Sequence, residues 1–224
     1  MTGRKRLRVA VLASGRGGTF AALLAAQQDG RLPIDIVALL SDKRTAPALT
    51  IAESAGIATV ALRPRDFADR SSFDRALFAR VTEFSPDLVV LAGYMRVIDS
   101  SVVGAWRGRM INLHPSLLPK HPGLQTHERV LEAGDSLHGS SVHYVTAELD
   151  GGPLIAQVPL PVIAGDTPET LAARLRPLER QLLLRVVELI AQGRLALGPD
   201  AVEFDGRPIA KPLQIEPGGG FATM

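Results

Sequence analysis

The feature that most constrains the fold is an alternation of short apolar runs with helical segments through the first half of the chain. The apolar runs are nearly continuous in Val, Ile, Leu and Ala, as in strands that are buried on both faces of a sheet. Strands that alternate with helices predict a parallel sheet, because parallel neighbours need a crossover connection. The predicted strands are 7–13, 34–40, 59–62, 88–92 and 110–113, and the predicted helices between them are 19–28, 46–55 and 71–84.

Glycine and proline positions support the ends of these helices. Gly30 and Gly56 lie just beyond the first two helices, where a residue in the left-handed conformation commonly ends a helix. Pro86 follows the third helix, and proline cannot continue a helix because it lacks an N–H group. The apolar pattern and the helix-ending residues therefore agree.

The second half of the chain contains two predicted strands, 139–146 and 153–162, followed by one long predicted helix, 167–192. Thr167 is a suitable N-cap, because its hydroxyl can accept a hydrogen bond from a free N–H of the first turn. Pro177 lies inside the pattern and is expected to bend or break the helix.

These elements predict an α/β protein with a Rossmann-like, open and mostly parallel sheet that carries helices on both faces. The 224 residues suffice for a core without disulfides or metals. We expect a single domain over residues 1–212. The remaining residues, 213–224, are glycine-rich towards their end and are expected to form a flexible tail.

Composition excludes several classes of protein. The formal net charge is only +2, from 25 basic and 23 acidic residues, which gives no reason to expect nucleic-acid binding. Cysteine is absent, so thiol catalysis and the common zinc sites are excluded, and a reducing cytoplasm is the expected location. No apolar run approaches the roughly 20 residues that span a bilayer, so we expect no membrane segment.

A possible catalytic group is formed by an amide, an imidazole and a carboxylate. Asn112 and His114 are two residues apart in a predicted strand, so their side chains point to the same face. Asp150, followed by two glycines, could return to the imidazole and hold its proton. Taken singly, the histidine could be structural and the Asp-Gly-Gly segment a simple turn. The combination favours a catalytic site.

A glycine-rich loop lies between the first predicted strand and the first predicted helix, at Ser14-Gly15-Arg16-Gly17-Gly18-Thr19. Such a loop lets the backbone approach a phosphate at the positive end of a helix. The third glycine of a dinucleotide-binding loop is replaced by Phe20, and the Lys of an NTPase loop is missing. The loop therefore favours a single phosphate monoester over NAD or ATP, although a turn that binds nothing would have the same residues.

In combination, six segments resemble the phosphoribosylglycinamide formyltransferase family of folate-dependent formyltransferases, over about residues 7–212. They are SGRG at 14–17, LAGYMR at 91–96, NLHPSLLP at 112–119, PGLQTH at 122–127, GSSVH at 139–143 and ELDGGP at 148–153. The Asn-x-His and Asp-Gly-Gly elements alone would indicate only the wider superfamily. The resemblance implies the formyltransferase fold, with a phosphate-binding N-terminal half and a folate-binding, catalytic C-terminal half.

The resemblance further implies that 10-formyltetrahydrofolate donates a formyl group to the amine of 5'-phosphoribosylglycinamide in purine synthesis. Attack on the formyl carbon creates a negative oxygen, which needs fixed hydrogen-bond donors. Asn112 and a protonated His114 are expected to supply them. Asp150 is expected to favour the charged imidazole and to position a water that relays the proton.

The family likeness also assigns binding residues. Gly17, Gly18 and Thr19 are implied to hold the substrate phosphate, and Glu179 the ribose hydroxyls. Glu179 could instead be an ordinary solvated helix residue, and the side chains of 95, 97 and 98 could be plain core. The implied folate-binding residues are Arg70, Met95, Arg96, Val97, Ile98, Asn112, Thr146, Ala147, Glu148, Leu149 and Asp150.

Two residues depart from the family pattern. Thr19 stands where the family often has Asn, and His121 where it often has an aromatic residue.

No histidine has carboxylate or cysteine partners at ligand spacing, so no metal is expected. We interpret His121 and His138 as surface residues, and His127 and His143 as structural.

Several alternatives remain open. Formyltetrahydrofolate hydrolase would use water as the acceptor, but that family resembles a longer chain with an additional N-terminal domain. Methionyl-tRNA formyltransferase would need a basic RNA-binding domain. A non-enzymatic sensor of a phosphate ligand could use the same fold. The partners expected are two small-molecule substrates, and the chain could be a monomer or a homodimer.

Overall fold

The computed structural model describes residues 5–215 and 221–222 of the chain. The chain forms two compact units, which divide between Ile111 and Asn112. The predicted α/β fold with an open, mostly parallel sheet and helices is confirmed.

Unit 1 contains a parallel sheet with the strand order β4-β1-β2-β3. A single turn of 3-10 helix, Pro64–Asp66, follows β3. Strand β5, Met110–His114, begins in unit 1 and ends in unit 2. The other elements of unit 1 are β1 Leu7–Leu12, α1 Gly18–Gln28, β2 Ile34–Ser41, α2 Pro47–Ser54, β3 Ala58–Ala61, α3 Arg70–Glu83, β4 Leu88–Leu91 and α4 Ser100–Ala105.

The local chemistry of the chain explains these boundaries. All four residues of β4 are buried, as its continuous Leu-Val-Val-Leu sequence predicts. Gly30 and Gly56 have φ values of 76° and 71°, which glycine adopts at low cost, and they end the first two helices as predicted. Asp69 caps α3 in a reciprocal pair with Ser72.

Unit 2 is built on an antiparallel pair, β6 and β7, with β11 parallel to β7. Strands β8, β9 and β10 form a separate antiparallel sheet. Helix α6 packs against β6, β7 and α5. The elements of unit 2 are α5 Thr126–Glu132, β6 Leu137–Tyr144, β7 Leu154–Pro161, α6 Pro168–Ala191, β8 Leu195–Leu197, β9 Val202–Phe204, β10 Arg207–Pro208, β11 Leu213–Ile215 and β12 Phe221–Ala222.

Helix α6 begins at its predicted cap, because the hydroxyl of Thr167 accepts a hydrogen bond from the N–H of Thr170. The prediction that Pro177 could break the helix was wrong, since α6 is one continuous element of 24 residues. Buried leucines on both sides of the proline hold the two halves of α6 in the core, among them Leu175 and Leu182. No described helix combines the length and apolar character that a membrane crossing requires.

The predicted flexible tail, 213–224, begins with a strand instead. In β11, Leu213 pairs with Ala156 of β7, and Ile215 is only 3% exposed. A short β12 then pairs with β11. The backbone hydrogen bonds of a sheet edge therefore extend the ordered chain beyond 212. Residues 216–220 and 223–224 lie outside the described residues.

Candidate functional site

Asn112 and His114 lie at the end of β5, and both belong to unit 2. The pleat of the strand places their side chains on one face, as the sequence predicted. His114 is 5% exposed, and its backbone carbonyl accepts a hydrogen bond of 2.7 Å from the hydroxyl of Ser140 on β6. The imidazole is therefore held at a buried strand end.

Asp150 returns to this strand end from the turn after β6. Its Oδ2 lies 3.4 Å from Nδ1 of His114 and accepts a hydrogen bond of 2.8 Å from the N–H of Gly123. Its Oδ1 lies 3.5 Å from Nδ2 of Asn112. The structure thus brings together the amide, the imidazole and the carboxylate singled out in the sequence.

The turn that carries Asp150 depends on close backbone packing. Asp150 itself has a φ of 50°, in the left-handed region. A Cβ atom on Gly152 would lie 1.8 Å from the carbonyl oxygen of Tyr144, a distance that no side chain tolerates. Gly152 is therefore required for the turn, because a side chain there would collide with the backbone.

His143 is a fourth member of the group that sequence reasoning treated as merely structural. It is 2% exposed, and its Nδ1 lies 2.9 Å from the carbonyl oxygen of Tyr144, which fixes the proton on Nδ1. Its Nε2 then accepts from Nδ2 of Asn112 at 3.2 Å. Nε2 also lies 3.7 Å from Oδ1 of Asp150. His143 therefore orients the amide and adjoins the carboxylate.

Burial and neighbouring groups act on the carboxylate in opposite directions. Burial by itself would raise the pKa of Asp150. The adjoining rings of His143 and His114 and the hydrogen bond from the N–H of Gly123 outweigh burial and hold this pKa below its usual value. Asp150 is therefore ionised at neutral pH.

Burial dominates for the imidazole and lowers the pKa of His114, although the carbonyl of His121 and the charge of Asp150 act in the opposite direction. Nε2 donates to that carbonyl at 3.0 Å, and Nδ1 lies 3.4 Å from Oδ2 of Asp150. Both ring nitrogens therefore face acceptors, which suits a ring with a proton on each nitrogen. The protonated His114 expected from the sequence stays a prediction.

The interpretation of His121 and His138 as surface residues was wrong. The side chain of His121 is 14% exposed and its Nε2 lies 2.8 Å from Oδ2 of Asp135, so a hydrogen-bonded side chain stands where the family often has an aromatic residue. His138 is 1% exposed, and its Nε2 lies 2.9 Å from Nδ1 of His127. Burial, followed by the charge of His127, lowers the pKa of His138 to about 4.

The glycine-rich loop lies in unit 1 and leads into α1. Gly17 has a φ of 76° and precedes the helix, and Gly18 and Thr19 are its first two residues. A Cβ on Gly17 would lie 2.7 Å from Cβ of Ala48, so the loop packs closely against α2. The first N–H groups of an 11-residue helix are available here to a phosphate.

The segment 95–98 follows β4 and is tied to the same loop. The hydroxyl of Ser14 accepts a hydrogen bond of 3.0 Å from the N–H of Met95. The alternative that these side chains are plain core was wrong for Met95 and Val97, which are 62% and 43% exposed, and correct for Ile98, which is 6% exposed. Arg70, at the start of α3, is exposed.

Glu179 lies in unit 2 on α6 and is half-buried, so it is not the ordinary solvated residue considered as an alternative. Burial raises its pKa to about 7, against the charges of Arg176 and Arg180. A carboxylate that titrates near neutral pH is typical of functional sites.

The remaining predicted folate residues precede Asp150. Thr146 is half-buried, and Ala147 and Glu148 are exposed. Leu149 is 54% exposed, so this turn presents an apolar side chain beside Asp150. Among the described residues, no group of three His, Cys, Asp or Glu side chains has the arrangement of a metal site.

Comparisons with known proteins agree on one family. The family model for formyl transferases matches residues 7–187. The chain is 42% identical to the phosphoribosylglycinamide formyltransferase of Escherichia coli over 201 residues, which cover 90% of this chain and 95% of that one.

Two solved structures are also similar. The phosphoribosylglycinamide formyltransferase of Coxiella burnetii has a TM-score of 0.88 at 44% identity, covering 92% of this chain and 96% of that chain. A formyltetrahydrofolate deformylase from Pseudomonas syringae has a TM-score of 0.82 at 26% identity, covering 89% of this chain and 66% of that chain.

Proposed function

Because this chain belongs to the formyl transferase family, we propose that it transfers the formyl group of 10-formyltetrahydrofolate to the amine of 5'-phosphoribosylglycinamide, a step of purine biosynthesis. The observation that carries this proposal is the buried group of Asn112, His114 and Asp150, within 3.5 Å of one another through Asp150. Relatives that match nearly the whole chain carry the name of this enzyme.

The proposed mechanism begins when the neutral amine of the ribonucleotide attacks the formyl carbon. A bond forms from nitrogen to carbon, and the formyl oxygen becomes negative. Nδ2 of Asn112 and the ring of His114 stabilise that oxygen. A proton between Nδ1 of His114 and Asp150 would make the imidazole cationic as the negative charge develops.

Collapse of the intermediate breaks the bond to the folate nitrogen. The proton lost by the amine passes to that leaving nitrogen, and Asp150 holds the water that carries it. The low pKa of Asp150 supports this role, because an ionised carboxylate accepts hydrogen bonds from water. His143 would keep the amide of Asn112 oriented throughout.

The substrates are assigned to the two units separately. In unit 1, Gly17, Gly18 and Thr19 would hold the phosphate of the ribonucleotide, and Arg70 with residues 95–98 would contact the folate. In unit 2, Glu179 would bind the ribose hydroxyls, and residues 146–150 with Asn112 would contact the folate. We further propose a cytoplasmic enzyme, monomeric or homodimeric, that uses no metal.

A second candidate is hydrolysis of the same donor with water as acceptor. It is favoured by the similarity to a formyltetrahydrofolate deformylase, at 26% identity. The higher identity and coverage of the phosphoribosylglycinamide formyltransferases favour the transfer reaction.

Release of tetrahydrofolate from 10-formyltetrahydrofolate, measured with a chelator present, tests the proposal. We expect release only when 5'-phosphoribosylglycinamide is added, because the amine is the acceptor. Release without the ribonucleotide would instead identify a hydrolase. The absence of release under both conditions would favour a sensor.

Substitution of the candidate catalytic residues separates an enzyme from a sensor. We expect His114→Ala and Asp150→Asn each to lower kcat by about 100-fold or more, because charge stabilisation and proton relay are lost. Titration of the ribonucleotide should give a dissociation constant close to that of the unsubstituted protein. Near-normal turnover in either variant would refute the assigned roles.

A further inference from the structure

One contact of His114 comes from a backbone carbonyl in the loop between β5 and α5. The carbonyl oxygen of His121 accepts a hydrogen bond of 3.0 Å from Nε2 of His114. This hydrogen bond acts to raise the pKa of His114, in the direction opposite to burial. The position of the carbonyl therefore affects both the orientation of the imidazole and the proton on Nε2.

The backbone conformation at His121 depends on support from its surroundings. Its φ is 52°, in the left-handed region, which is unfavourable for a residue that has a Cβ atom. Such a conformation persists only where neighbouring contacts fix it. Earlier in the loop, the amide of Gln157 donates to the carbonyl of Leu118 at 2.8 Å. That contact holds the loop three residues before His121, so the carbonyl of His121 is positioned by contacts closer to it.

Asp135 provides a contact at His121 itself. Its Oδ2 lies 2.8 Å from Nε2 of His121, and its Oδ1 lies 2.8 Å from Nζ of Lys120. Hydrogen bonds from His121 and then Lys120 lower the pKa of Asp135, so the carboxylate is ionised at neutral pH. The side chain of His121 is 14% exposed and that of Lys120 is 64% exposed. Because solvent screens an exposed ion pair, the contact with His121 is the stronger restraint.

Asp135 is in turn fixed by the core of unit 2. It lies in the turn between α5 and β6, and its N–H donates to the carbonyl of Val130 at 3.2 Å. Val130 is 1% exposed and belongs to a hydrophobic cluster with Leu171 and Leu175 of α6. A group supported by packed elements is held more precisely than one supported by a loop alone.

We propose that Asp135 and His121 form a positioning pair, in which the carboxylate holds the His121 ring and thereby places the carbonyl that accepts from Nε2 of His114. The inference rests on the proposed function, in which His114 acts on the formyl group. The pair touches neither substrate. It keeps a proton on Nε2 of His114 and directs Nδ1 towards Asp150.

Three variants of the full chain separate this role from a structural one. In His121→Leu, kcat should fall about 10-fold and both KM values should stay within about twofold, because the imidazole moves but the binding residues do not. His121→Gln carries an amide N–H that can replace Nε2 as the donor to Asp135, so kcat should return to within about twofold. Lys120→Ala is the matched control, because it removes the other 2.8 Å contact of the same carboxylate and should keep kcat.

The titration of His114 gives a second measurement, which does not require turnover. It is followed by NMR with labelled histidine in the substrate-free protein. The charged neighbours of His114 remain in His121→Leu, namely Asp150, His143 and Arg129. Loss of a positive charge on His121 would raise the pKa of His114, whereas displacement of the carbonyl lowers it. We therefore expect a lower pKa of His114 in His121→Leu than in the unsubstituted chain, and an unchanged or higher pKa would overturn the proposal.

A double-mutant cycle tests whether the two residues act together. Asp135→Ala should lower kcat about as much as His121→Leu, and the combined variant should be no slower than either, since both break one contact. Effects that multiply would overturn the proposal, as would a normal kcat in His121→Leu or a failure of His121→Gln to restore it. Absence of turnover in the unsubstituted chain would refute the proposed function itself, whereas turnover there with any of these results refutes only the positioning pair.

Discussion

At the residue scale, chemistry that depends on two nearby positions was predictable, and chemistry that depends on the fold was not. Asn112 and His114 share a face because strand geometry places them there, and the turn at Asp150 is visible in its two glycines. His143 was missed because the sequence of a strand around a histidine looks the same whether or not a partner lies opposite the ring. Its contact with Asn112, 3.2 Å away and 31 positions earlier, is a tertiary property.

Glu179 provides a prediction at this scale, because burial raises its pKa to about 7. The ionised carboxylate accepts hydrogen bonds from ribose hydroxyls, and the protonated form accepts them less well. We therefore expect the KM for the ribonucleotide to rise as the pH falls through about 7. Glu179→Gln should have a KM raised by about 10-fold or more at high pH.

Steady-state kinetics from about pH 6 to about pH 8 check this expectation. The substrate phosphate also titrates in this range, so the difference between the variant and the unsubstituted chain isolates Glu179. Glu132→Gln, an exposed residue at the end of α5, is the control. A parallel pH dependence in the Glu179 variant would refute the ribose-binding role.

At the scale of elements, periodicity predicted the long helices and the buried strands to within one or two residues. The short helices α4 and α5 were not predicted, because six or seven residues carry too little pattern. Pro177 was misjudged for a different reason. Its effect on α6 depends on burial along the rest of the helix, and the local sequence does not contain that information.

The turn after β6 allows a second prediction. Gly152→Ala would bring a Cβ to 1.8 Å from the carbonyl oxygen of Tyr144, so the turn must shift and Asp150 must move with it. We expect kcat to fall by about 100-fold, because displacement of a catalytic group by about 1 Å has an effect of this size. The free energy of unfolding should also fall by about 1–3 kcal/mol.

Kinetics and urea unfolding of the same variant separate the two effects. Gly104→Ala in α4 is the matched control, because nothing lies within 4 Å of its Cβ position and alanine favours a helix. The control should keep its kcat and lose no stability. Wild-type kcat in Gly152→Ala would mean that the turn does not position a catalytic group.

At the scale of the whole molecule, the class of fold followed from the alternation of strands and helices, but strand order within each unit did not. β11 pairs with β7 over a separation of nearly 60 residues, and nothing in the short Leu-Gln-Ile sequence selects that partner. Local patterns also could not reveal the division between Ile111 and Asn112, which falls inside β5. Pairing over long distances depends on competing contacts throughout the chain.

His138 links the stability of the whole chain to pH. Burial lowers its pKa to about 4, whereas the pKa of a histidine in the unfolded chain is near 6.5. Because the folded pKa is the lower one, the stabilising contribution is complete above about pH 6.5 and is lost as the pH falls towards 4. Between these limits His138 is protonated in the unfolded chain and neutral in the folded chain.

Urea unfolding at about pH 7.5 and about pH 5 measures the stability lost on acidification, which proton linkage puts at about 2 kcal/mol for His138. His138→Gln keeps a polar side chain opposite His127 but cannot take up a proton. Other groups also titrate between the two pH values, so we compare the loss of stability in the two proteins. The variant should lose about 2 kcal/mol less than the unsubstituted chain. Equal losses would mean that His138 takes up a proton as readily in the folded chain as in the unfolded one.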